Sequence, residues 1–353
     1  MFLVRILLFP LAVLYDLITR VRNHLYNKGL KPAVSFEVPL ISVGNLTVGG
    51  TGKTPMTEYL IRLLVRAGRV ATLSRGYGRK TRGLRIASRS DSAVTLGDEP
   101  FQLYTKYADK IAVAVSEDRA LAVPFILDRF PDTGAIILDD AFQHRRVIPA
   151  LNILLSDYNR PFYNDYLLPA GYLRETKTNA SRADVVVVTK CPASITDETM
   201  LDIEKQIRRY TARPVFFSHI RYGEPVPFAG SSGRLSEKII LITGIADARP
   251  LKAYLQDKFK VVRHFEFRDH HAYSVADLEK ICRWAEKEHD VSVITTEKDM
   301  VKINTATFKP VTAGLPMFYV PIEISFIRNG GDFDALVTTV IKQKQVSAEH
   351  SNG

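Results

Sequence analysis

The sequence predicts an α/β fold: a mainly parallel sheet with helices on both faces, plus a smaller second α/β lobe. Short, continuously apolar runs alternate with helical stretches, as in sheets that are buried on both faces. A glycine-rich loop joins the first of these runs to a helix. A second alternating series follows a loop rich in Pro, Gly and Ser, which indicates a second lobe.

The first predicted element is an amphipathic helix over residues 1–28. Apolar residues recur at three- and four-residue steps, and basic residues follow at its far end. The apolar ones are Leu7, Leu11, Leu14, Ile18, Val21 and Leu25, and the basic ones are Arg20, Arg22, His24 and Lys28. Because the apolar run is too short to span a bilayer, we expect a helix lying in the membrane interface. The alternative is a helix packed on its own domain.

The remaining elements divide into two lobes. In the first lobe, residues 29–222, strands are predicted at 40–43, 70–73, 111–115, 135–138, 151–155 and 184–189, with helices at 54–67 and 117–130. A linker is predicted at 223–236. In the second lobe, residues 237–345, strands are predicted at 239–243, 261–265, 291–296 and 317–320, with helices at 249–258 and 274–289. The polar residues 346–353 are expected to be a disordered tail.

Composition restricts the partners of the chain. Its 353 residues carry 48 Lys+Arg and 38 Asp+Glu, a formal net charge of +10 that favours anionic partners. Nucleic acid, acidic lipids and phosphorylated substrates all meet that criterion. The cysteines Cys191 and Cys282 are far apart, which argues against a disulfide framework or a structural zinc site and fits a reducing cytosol.

The glycine-rich loop is a variant Walker A motif, so the sheet is predicted to be of the P-loop NTPase type. Thr47 occupies the position of the usual first glycine. The residues expected to surround the nucleotide phosphates are Asn45, Thr47, Val48, Gly49, Gly50, Thr51, Gly52, Lys53 and Thr54. Lys53 would reach the β- and γ-phosphates, and the Thr54 hydroxyl would ligate Mg²⁺. The alternative is a glycine-rich turn that binds nothing.

An apolar strand ending in Asp139 and Asp140 is the expected Walker B partner. In the same sheet as the P-loop, either carboxylate would hold Mg²⁺ directly or through water. On its own, this pair could equally lie in an ordinary turn.

Three further segments are candidates for the acceptor side of a kinase. Asp98 and Glu99 precede a helical stretch, where they could provide a base or only cap the helix. Asp269, His270 and His271 suit proton handling or metal binding, or form an exposed polar loop. The basic stretch 74–82 suits recognition of a phosphate or an anionic membrane, or is a solvated loop.

These segments together resemble one family, the tetraacyldisaccharide 4'-kinases of Gram-negative bacteria. The matching blocks, in family order, are 43–55 (VGNLTVGGTGKTP), 73–79 (LSRGYGR), 97–100 (GDEP), 139–144 (DDAFQH), 168–175 (LPAGYLRE), 243–245 (TGI), 267–273 (FRDHHAY) and 295–299 (TTEKD). Two positions depart from the family pattern: Ala141 stands in place of Gly, and Tyr172 in place of Pro. They bear on acyl-chain preference more than on the reaction.

The resemblance implies transfer of the γ-phosphate of ATP, with Mg²⁺, to the 4'-hydroxyl of an acylated glucosamine disaccharide 1-phosphate in lipid A biosynthesis. It also implies a monotopic enzyme on the cytoplasmic face of the inner membrane, with no nucleic acid and no obligate protein partner. Asp98 is the implied general base, supported by His270, and Lys53 is the third catalytic residue. The implied substrate-binding residues are Arg75, Tyr77, Arg79, Glu99, His144 and Arg174.

Other classes fit less well. A P-loop ATPase that positions partners at the membrane usually carries a second lysine near the start of the loop, and none occurs at 45–47. In a GTPase, a guanine-binding NKxD motif would be expected, but the segment around Lys190 lacks the Asn. A nucleic-acid enzyme would fit the charge, but no binding motif is present and the apolar N-terminus would be unexplained.

Overall fold

The protein is described here by a computed structural model that covers residues 2–229, 234–288 and 290–352. Residues 230–233 of the predicted linker and His289, the predicted end of a helix, lie outside the described residues. The described helices are α1 (Phe2–Asn27), α2 (Lys53–Leu64), α3 (Ala93–Leu96), α4 (Asp98–Tyr107), α5 (Arg119–Arg129), α6 (Asp197–Ile207), α7 (Arg249–Gln256), α8 (Val275–Lys287), α9 (Glu297–Ile303), α10 (Lys309–Thr312) and α11 (Gly330–Asn352). Two 3₁₀ helices span Phe162–Asn164 and Lys177–Arg182.

The strands form two sheets. They are β1 (Leu40–Asn45), β2 (Arg69–Ser74), β3 (Arg85–Ile86), β4 (Ile111–Val115), β5 (Thr133–Asp139), β6 (Leu151–Asp157), β7 (Val185–Thr189), β8 (Val215–Tyr222), β9 (Val226–Pro227), β10 (Lys238–Thr243), β11 (Lys260–Glu266), β12 (Val291–Thr296), β13 (Met317–Val320) and β14 (Ile322–Phe326). The larger sheet has the order β14-β8-β7-β6-β1-β5-β2-β4-β3, and the smaller has β11-β10-β12-β13-β9.

The larger sheet is parallel from β8 to β4 and antiparallel at both edges. Every residue of β1, β4 and β7 is buried, because helices cover both faces of the sheet. This explains why these strands are continuously apolar in sequence. Helix α2 buries Met56, Leu60 and Ile61 against the sheet and thereby fixes the loop that precedes it. The predicted α/β class is confirmed.

The C-terminal end of the chain returns to the first lobe, which differs from the predicted boundaries. Strand β14 pairs with β8 in register Ile324↔Ile220, at the edge of the larger sheet. Phe333, Val337 and Ile341 of α11 join the core beneath that sheet. The second lobe therefore ends near β13 rather than at residue 345. The tail predicted to be disordered from 346 continues α11 through Asn352.

The two lobes are connected by two chain crossings that lie side by side. The Gly223 amide on the outward crossing donates to the Pro321 carbonyl on the return crossing at 2.8 Å. The rings of Tyr222 and Tyr254 stack beside this point at 4.8 Å. Each lobe has its own hydrophobic core, and Phe101 of α4 packs against the core of the second lobe.

Helix α1 is docked on the first lobe along one side and exposes apolar residues on the other. The Tyr15 hydroxyl donates to the Arg174 carbonyl at 2.9 Å, and the Arg22 guanidinium donates to the Gln143 carbonyl at 2.7 Å. The exposed apolar side chains range from 52% exposure at Val21 to 78% at Leu7. Thus the helix packs on its own domain and still presents an apolar surface. Across the described residues, no helix has the length and apolar content to cross a membrane.

Candidate active site

The P-loop lies between β1 and α2 at the carboxyl end of the sheet, where open α/β folds bind ligands. Gly49 and Gly52 have φ of 101° and 83°, in the left-handed region that favours glycine. A Cβ at Gly50 would meet no atom within 4 Å, so the loop borders open space there. The loop amides and the N-terminus of α2 therefore form a cradle suited to phosphate.

Side chains from neighbouring segments hold the loop in shape. The Arg160 guanidinium donates to the Val48 carbonyl at 2.7 Å, and the Thr189 hydroxyl donates to the Thr51 carbonyl at 2.8 Å. The Lys190 ammonium donates to the Gly50 carbonyl. These bonds tie up carbonyl oxygens, which leaves the amides to face a ligand.

The LPAGYLRE segment is joined to the start of the loop by main-chain hydrogen bonds. The Val48 amide donates to the Tyr172 carbonyl at 2.8 Å, and the Arg174 amide donates to the Leu46 carbonyl at 2.7 Å. The Asn45 side-chain amide contacts the Thr47 hydroxyl at 3.4 Å. Both Asn45 and Thr47 are buried, so they support the loop from below.

Lys53 faces the Walker B carboxylates. Its ammonium lies 3.7 Å from Asp140 Oδ1, and Arg174 Nη1 contacts both oxygens of Asp140 at 3.0 and 3.1 Å. Burial alone would raise the pKa of Asp140, but Lys53 and Arg174 hold it below its ordinary value. Asp140 is thus a carboxylate that fixes two cations at the mouth of the phosphate cradle.

Asp139 is more deeply buried than Asp140. Its Oδ1 accepts hydrogen bonds from the Asp140 amide at 3.0 Å and the Thr57 hydroxyl at 3.5 Å. Burial raises the pKa of Asp139 to about 7, with Lys53 opposing the rise and Asp140 adding to it. A buried carboxylate with so high a pKa lacks compensating positive charge, which a bound divalent cation would supply.

The donor set of the predicted metal site fits magnesium. Thr54 stands in the first turn of α2, Asp139 ends β5 and Asp140 follows it. The candidate ligand atoms are therefore all oxygens. Magnesium in nucleotide sites uses one or two carboxylates, keeps several waters and takes the rest from phosphates. Among the described residues, no group of three His, Cys, Asp or Glu suited to a metal occurs.

Helix α4 places the GDEP acids against the second lobe. The N-cap residue is Gly97, and the helix begins at Asp98, so neither acid is the capping residue. Asp98 Oδ2 lies 3.1 Å from Nδ1 of His270, across the boundary between the lobes. Burial alone would raise the pKa of Asp98, but the hydrogen bond from His270 and the charge of Lys302 lower it below the ordinary value. The structure therefore brings together the pair that the motifs predicted.

The two histidines of the DHH motif have different partners. His271 stacks on Phe267 with ring centroids 4.4 Å apart, and its Nε2 lies 3.1 Å from Asp277. His270 has φ of 57°, a strained conformation that turns its ring towards Asp98. The hydrogen bond to Asp98 raises the pKa of His270, with burial opposing it. His271 supports the loop, and His270 completes the dyad.

Two lysines of α9 also reach this dyad, and the sequence did not assign a role to either. Lys298 Nζ lies 3.1 Å from Glu99 Oε1, from Asp269 Oδ1 and from His270 Nε2. Lys302 Nζ lies 4.0 Å from Asp98 Oδ2. Glu99 lies close enough to Asp139 to contribute to its raised pKa. The acids of α4 are thus linked electrostatically to the Walker B carboxylates.

The residues of the basic stretch 74–82 differ in their exposure and contacts. Arg75 and Tyr77 are exposed, and the Tyr77 ring lies 5.5 Å from that of His270. The Arg79 side chain is only 2% exposed, and it donates to Glu117 at 2.6 Å and to the Gly83 carbonyl at 2.7 Å. In this structure Arg79 holds the loop together instead of projecting towards a substrate.

His144 and Arg119 complete the wall of the site. Burial, with Arg119 nearby, lowers the pKa of His144 to about 4, so its ring is neutral in the physiological range. Arg119 is buried at the start of α5 close to Asp140 and Asp139, whose charges oppose the lowering of its pKa by burial. Nothing in the local sequence distinguished this arginine, because only the tertiary fold brings it to the carboxylates.

A parallel sheet with a P-loop, Walker B carboxylates and an Asp–His pair at the lobe boundary defines a P-loop kinase. Comparison with known proteins gives the particular family: residues 4–342 match the model of the tetraacyldisaccharide-1-P 4'-kinases. The chain belongs to this family. The resemblance predicted from the motifs is confirmed, and with it a place in lipid A biosynthesis.

The chain is similar to individual relatives over nearly the whole length of both proteins. The chain is 41% identical to the tetraacyldisaccharide 4'-kinase of Flavobacterium johnsoniae over 97% of this chain and 98% of that protein. It is 40% identical to that of Cytophaga hutchinsonii, over 96% of each chain. The crystal structure of LpxK from Aquifex aeolicus in complex with ATP is similar, with a TM-score of 0.73 and 30% identity over 96% of this chain and 99% of that one.

Proposed function

We propose that this protein transfers the γ-phosphoryl group of ATP to the 4'-hydroxyl of a tetraacylated glucosamine disaccharide 1-phosphate, giving the 1,4'-bisphosphate. The observation that carries the proposal is the Asp98–His270 pair, contributed by both lobes, in a chain whose P-loop sets Lys53 beside Asp140. A nucleotide switch needs only the phosphate cradle. A base at the lobe boundary is what transfer to a hydroxyl requires.

In the proposed reaction, the loop amides and Lys53 stabilise the charge on the transferred phosphoryl group. Asp98 accepts the proton of the 4'-hydroxyl, whose oxygen forms the new bond to phosphorus as the bond to the leaving ADP oxygen breaks. His270 donates a hydrogen bond to Asp98 Oδ2 and thereby leaves Oδ1 for the acceptor. Arg75, Tyr77, Glu99, His144 and Arg174 are proposed to position the acceptor.

Thr54, Asp139 and Asp140 would hold Mg²⁺ together with the phosphates. Bound there, the ion would neutralise charge on the β- and γ-phosphates. Arg174 and Lys53 keep Asp140 ionised, so one ligand is ready below neutral pH. Asp139 ionises only near pH 7 in the absence of a cation.

The exposed side of α1 is proposed to hold the enzyme on the cytoplasmic face of the inner membrane. Its apolar residues face outwards, while Tyr15 and Arg22 fasten the helix to the segments that carry Arg174 and Gln143. An enzyme anchored in this way would meet an acylated substrate without extracting its acyl chains from the bilayer. The net charge of +10 would favour anionic lipids.

The test is phosphorylation of the tetraacylated disaccharide 1-phosphate by [γ-³²P]ATP in detergent micelles, followed by thin-layer chromatography. The matched control is the same acceptor with the 4'-hydroxyl replaced by hydrogen. We expect label in the lipid only when the 4'-hydroxyl is present. ATP hydrolysis that is equal with both acceptors and leaves the lipid unlabelled would contradict the proposal.

A further inference from the structure

Lys298 has a hydrogen-bonding pattern that determines the state of His270. A lysine ammonium has three N–H donors and no acceptor. Lys298 has three partners, Glu99, Asp269 and His270, each 3.1 Å from Nζ. Burial alone would lower the pKa of Lys298, but Glu99 and Asp269 raise it above its ordinary value, so the group is charged. The Nε2 atom of His270 must therefore be the acceptor in its contact with Lys298.

The other ring nitrogen follows from this assignment. With Nε2 accepting, a neutral His270 carries its proton on Nδ1 and donates it to Asp98 Oδ2 at 3.1 Å. We propose that Lys298 is a positioning residue that fixes this tautomer of His270 and so assigns the role of proton acceptor to Asp98. This inference rests on the proposed kinase function.

The chemical consequence concerns where the substrate proton goes. When the acceptor O–H bond breaks, the proton moves to the free Oδ1 of Asp98, because Nδ1 of His270 already carries a proton. The ring cannot relay that proton onwards while Lys298 occupies Nε2. His270 therefore acts by orienting Asp98, and the protonated Asp98 must lose its proton before the next turnover.

The surroundings of His270 make its charge state sensitive to Lys298. The acids that face the ring are Asp98 and Glu99 from α4 and Asp269 from its own loop, all of which favour an imidazolium. From α9, Lys298 contacts the ring itself, whereas Lys302 lies on the far side of Asp98. The Tyr77 ring covers another side of the His270 ring, with the ring centroids 5.5 Å apart. Without Lys298, three carboxylates would act on His270 with no adjacent cation.

Lys298→Met tests the inference. Removing a nearby charge moves a pKa by about one to three units, so we expect His270 in this variant to take its second proton at least about one pH unit higher than in wild type. An imidazolium at Nδ1 makes Asp98 a weaker base. The acid limb of the pH profile of kcat/KM should therefore shift upwards with the titration of His270. Lys298→Arg retains the charge, so its pH profile should stay close to that of wild type.

Histidine labelled with ¹⁵N in both ring positions provides the direct readout in the full-length protein. Two-bond ¹H–¹⁵N spectra distinguish the tautomers, and the signals of His270 are assigned by their loss in His270→Gln. In wild type and in the control Lys302→Met, we expect the proton on Nδ1 and a bare Nε2. Lys298→Gln, which keeps a polar partner for Glu99 and Asp269, replaces Lys298→Met if that variant fails to fold.

A wild-type spectrum with the proton on Nε2 would overturn the inference. So would a Lys298 variant whose activity falls equally at every pH while the titration of His270 stays unchanged. The spectra need no lipid substrate. Failure of the wild type to phosphorylate the disaccharide would count against the proposed function alone, and the tautomer would still be decided.

Discussion

Lys106 of α4 is the cation of a buried cluster that joins the lobes behind the site. Its ammonium lies 2.6 Å from Glu58 Oε2 on α2 and 2.8 Å from Glu297 Oε1 on α9. The two glutamate side chains are 3% and 5% exposed. The substitution Lys106→Met would leave two buried carboxylates facing one another. Arg62, at 3.7 Å from Glu58, would remain as a nearby cation, and Gln102 and Tyr107 would still donate hydrogen bonds to Glu58.

The expected loss in the free energy of unfolding follows from the burial of the two glutamates. Removing one partner of a buried ion pair costs about 3–5 kcal/mol, and we expect Lys106→Met near the lower end because Arg62 remains. Burial already raises the pKa of Glu297, and Glu58 adds to the rise. Without Lys106, the Glu297 carboxyl would therefore be protonated at low pH, where stability is retained, and would be charged as pH rises. The loss should be larger at pH 8 than at pH 5.5.

The assay is urea unfolding followed by circular dichroism and by the fluorescence of Trp284, the only tryptophan, which lies in the second lobe. The matched control is Arg208→Met, which breaks an exposed pair with Glu204 and should cost about 0.3–0.5 kcal/mol. Adding Glu58→Gln and Glu297→Gln to Lys106→Met should recover much of the loss. A loss for Lys106→Met no larger than that of the control would refute the reasoning.

Three further predictions concern the site and the membrane. Asp139→Asn should stabilise the nucleotide-free protein at pH 8 by up to about 4 kcal/mol, because the raised pKa of Asp139 makes wild-type stability fall between pH 4 and 7. Urea titrations at a series of pH values check this. A difference in stability between variant and wild type that stays constant with pH would contradict it. In kinase assays, His271→Phe should keep most of the activity, whereas His270→Gln should lose about 10²-fold in kcat, since of these two histidines only His270 contacts Asp98. Equal losses of kcat in the two variants would contradict this. The double substitution Leu14→Glu and Ile18→Glu should abolish flotation with anionic vesicles. It should leave the melting temperature unchanged, because both side chains are already exposed. Continued flotation would place the membrane anchor elsewhere.

The sequence predicted most of the parallel sheet because its strands are apolar on both faces. Strands β1 and β7 are continuous hydrophobic runs, and β1 leads into glycines that few structures other than a phosphate loop require. The P-loop could thus be predicted from local pattern, whereas the Walker B acids were favoured over an ordinary turn only because of the P-loop in the same sheet. The GDEP and DHH motifs came together only through the family resemblance, because residues 98 and 270 share no local element.

The features that were missed depend on tertiary contacts. Strand β14 follows β13 after Pro321 alone, so the return to the first lobe left no linker to detect. The spacing of Phe333, Val337 and Ile341 at four-residue steps was the signal for α11. Lys298 lies within a quoted motif, but its contacts with Glu99 and His270 join α9 to α4 and to the loop after β11, which no sequence spacing encodes.

The measurement that tests the central claim most directly compares wild type with Asp98→Ala, using single-turnover transfer from [γ-³²P]ATP to the disaccharide and binding of a fluorescent ATP analogue. If Asp98 is the base opposite the P-loop, the variant should bind nucleotide with nearly unchanged affinity and lose about 10²–10⁴-fold in the rate of transfer. Transfer at the wild-type rate would remove Asp98 from the reaction. A loss of nucleotide binding equal to the loss of transfer would show that Asp98 supports the phosphate site instead.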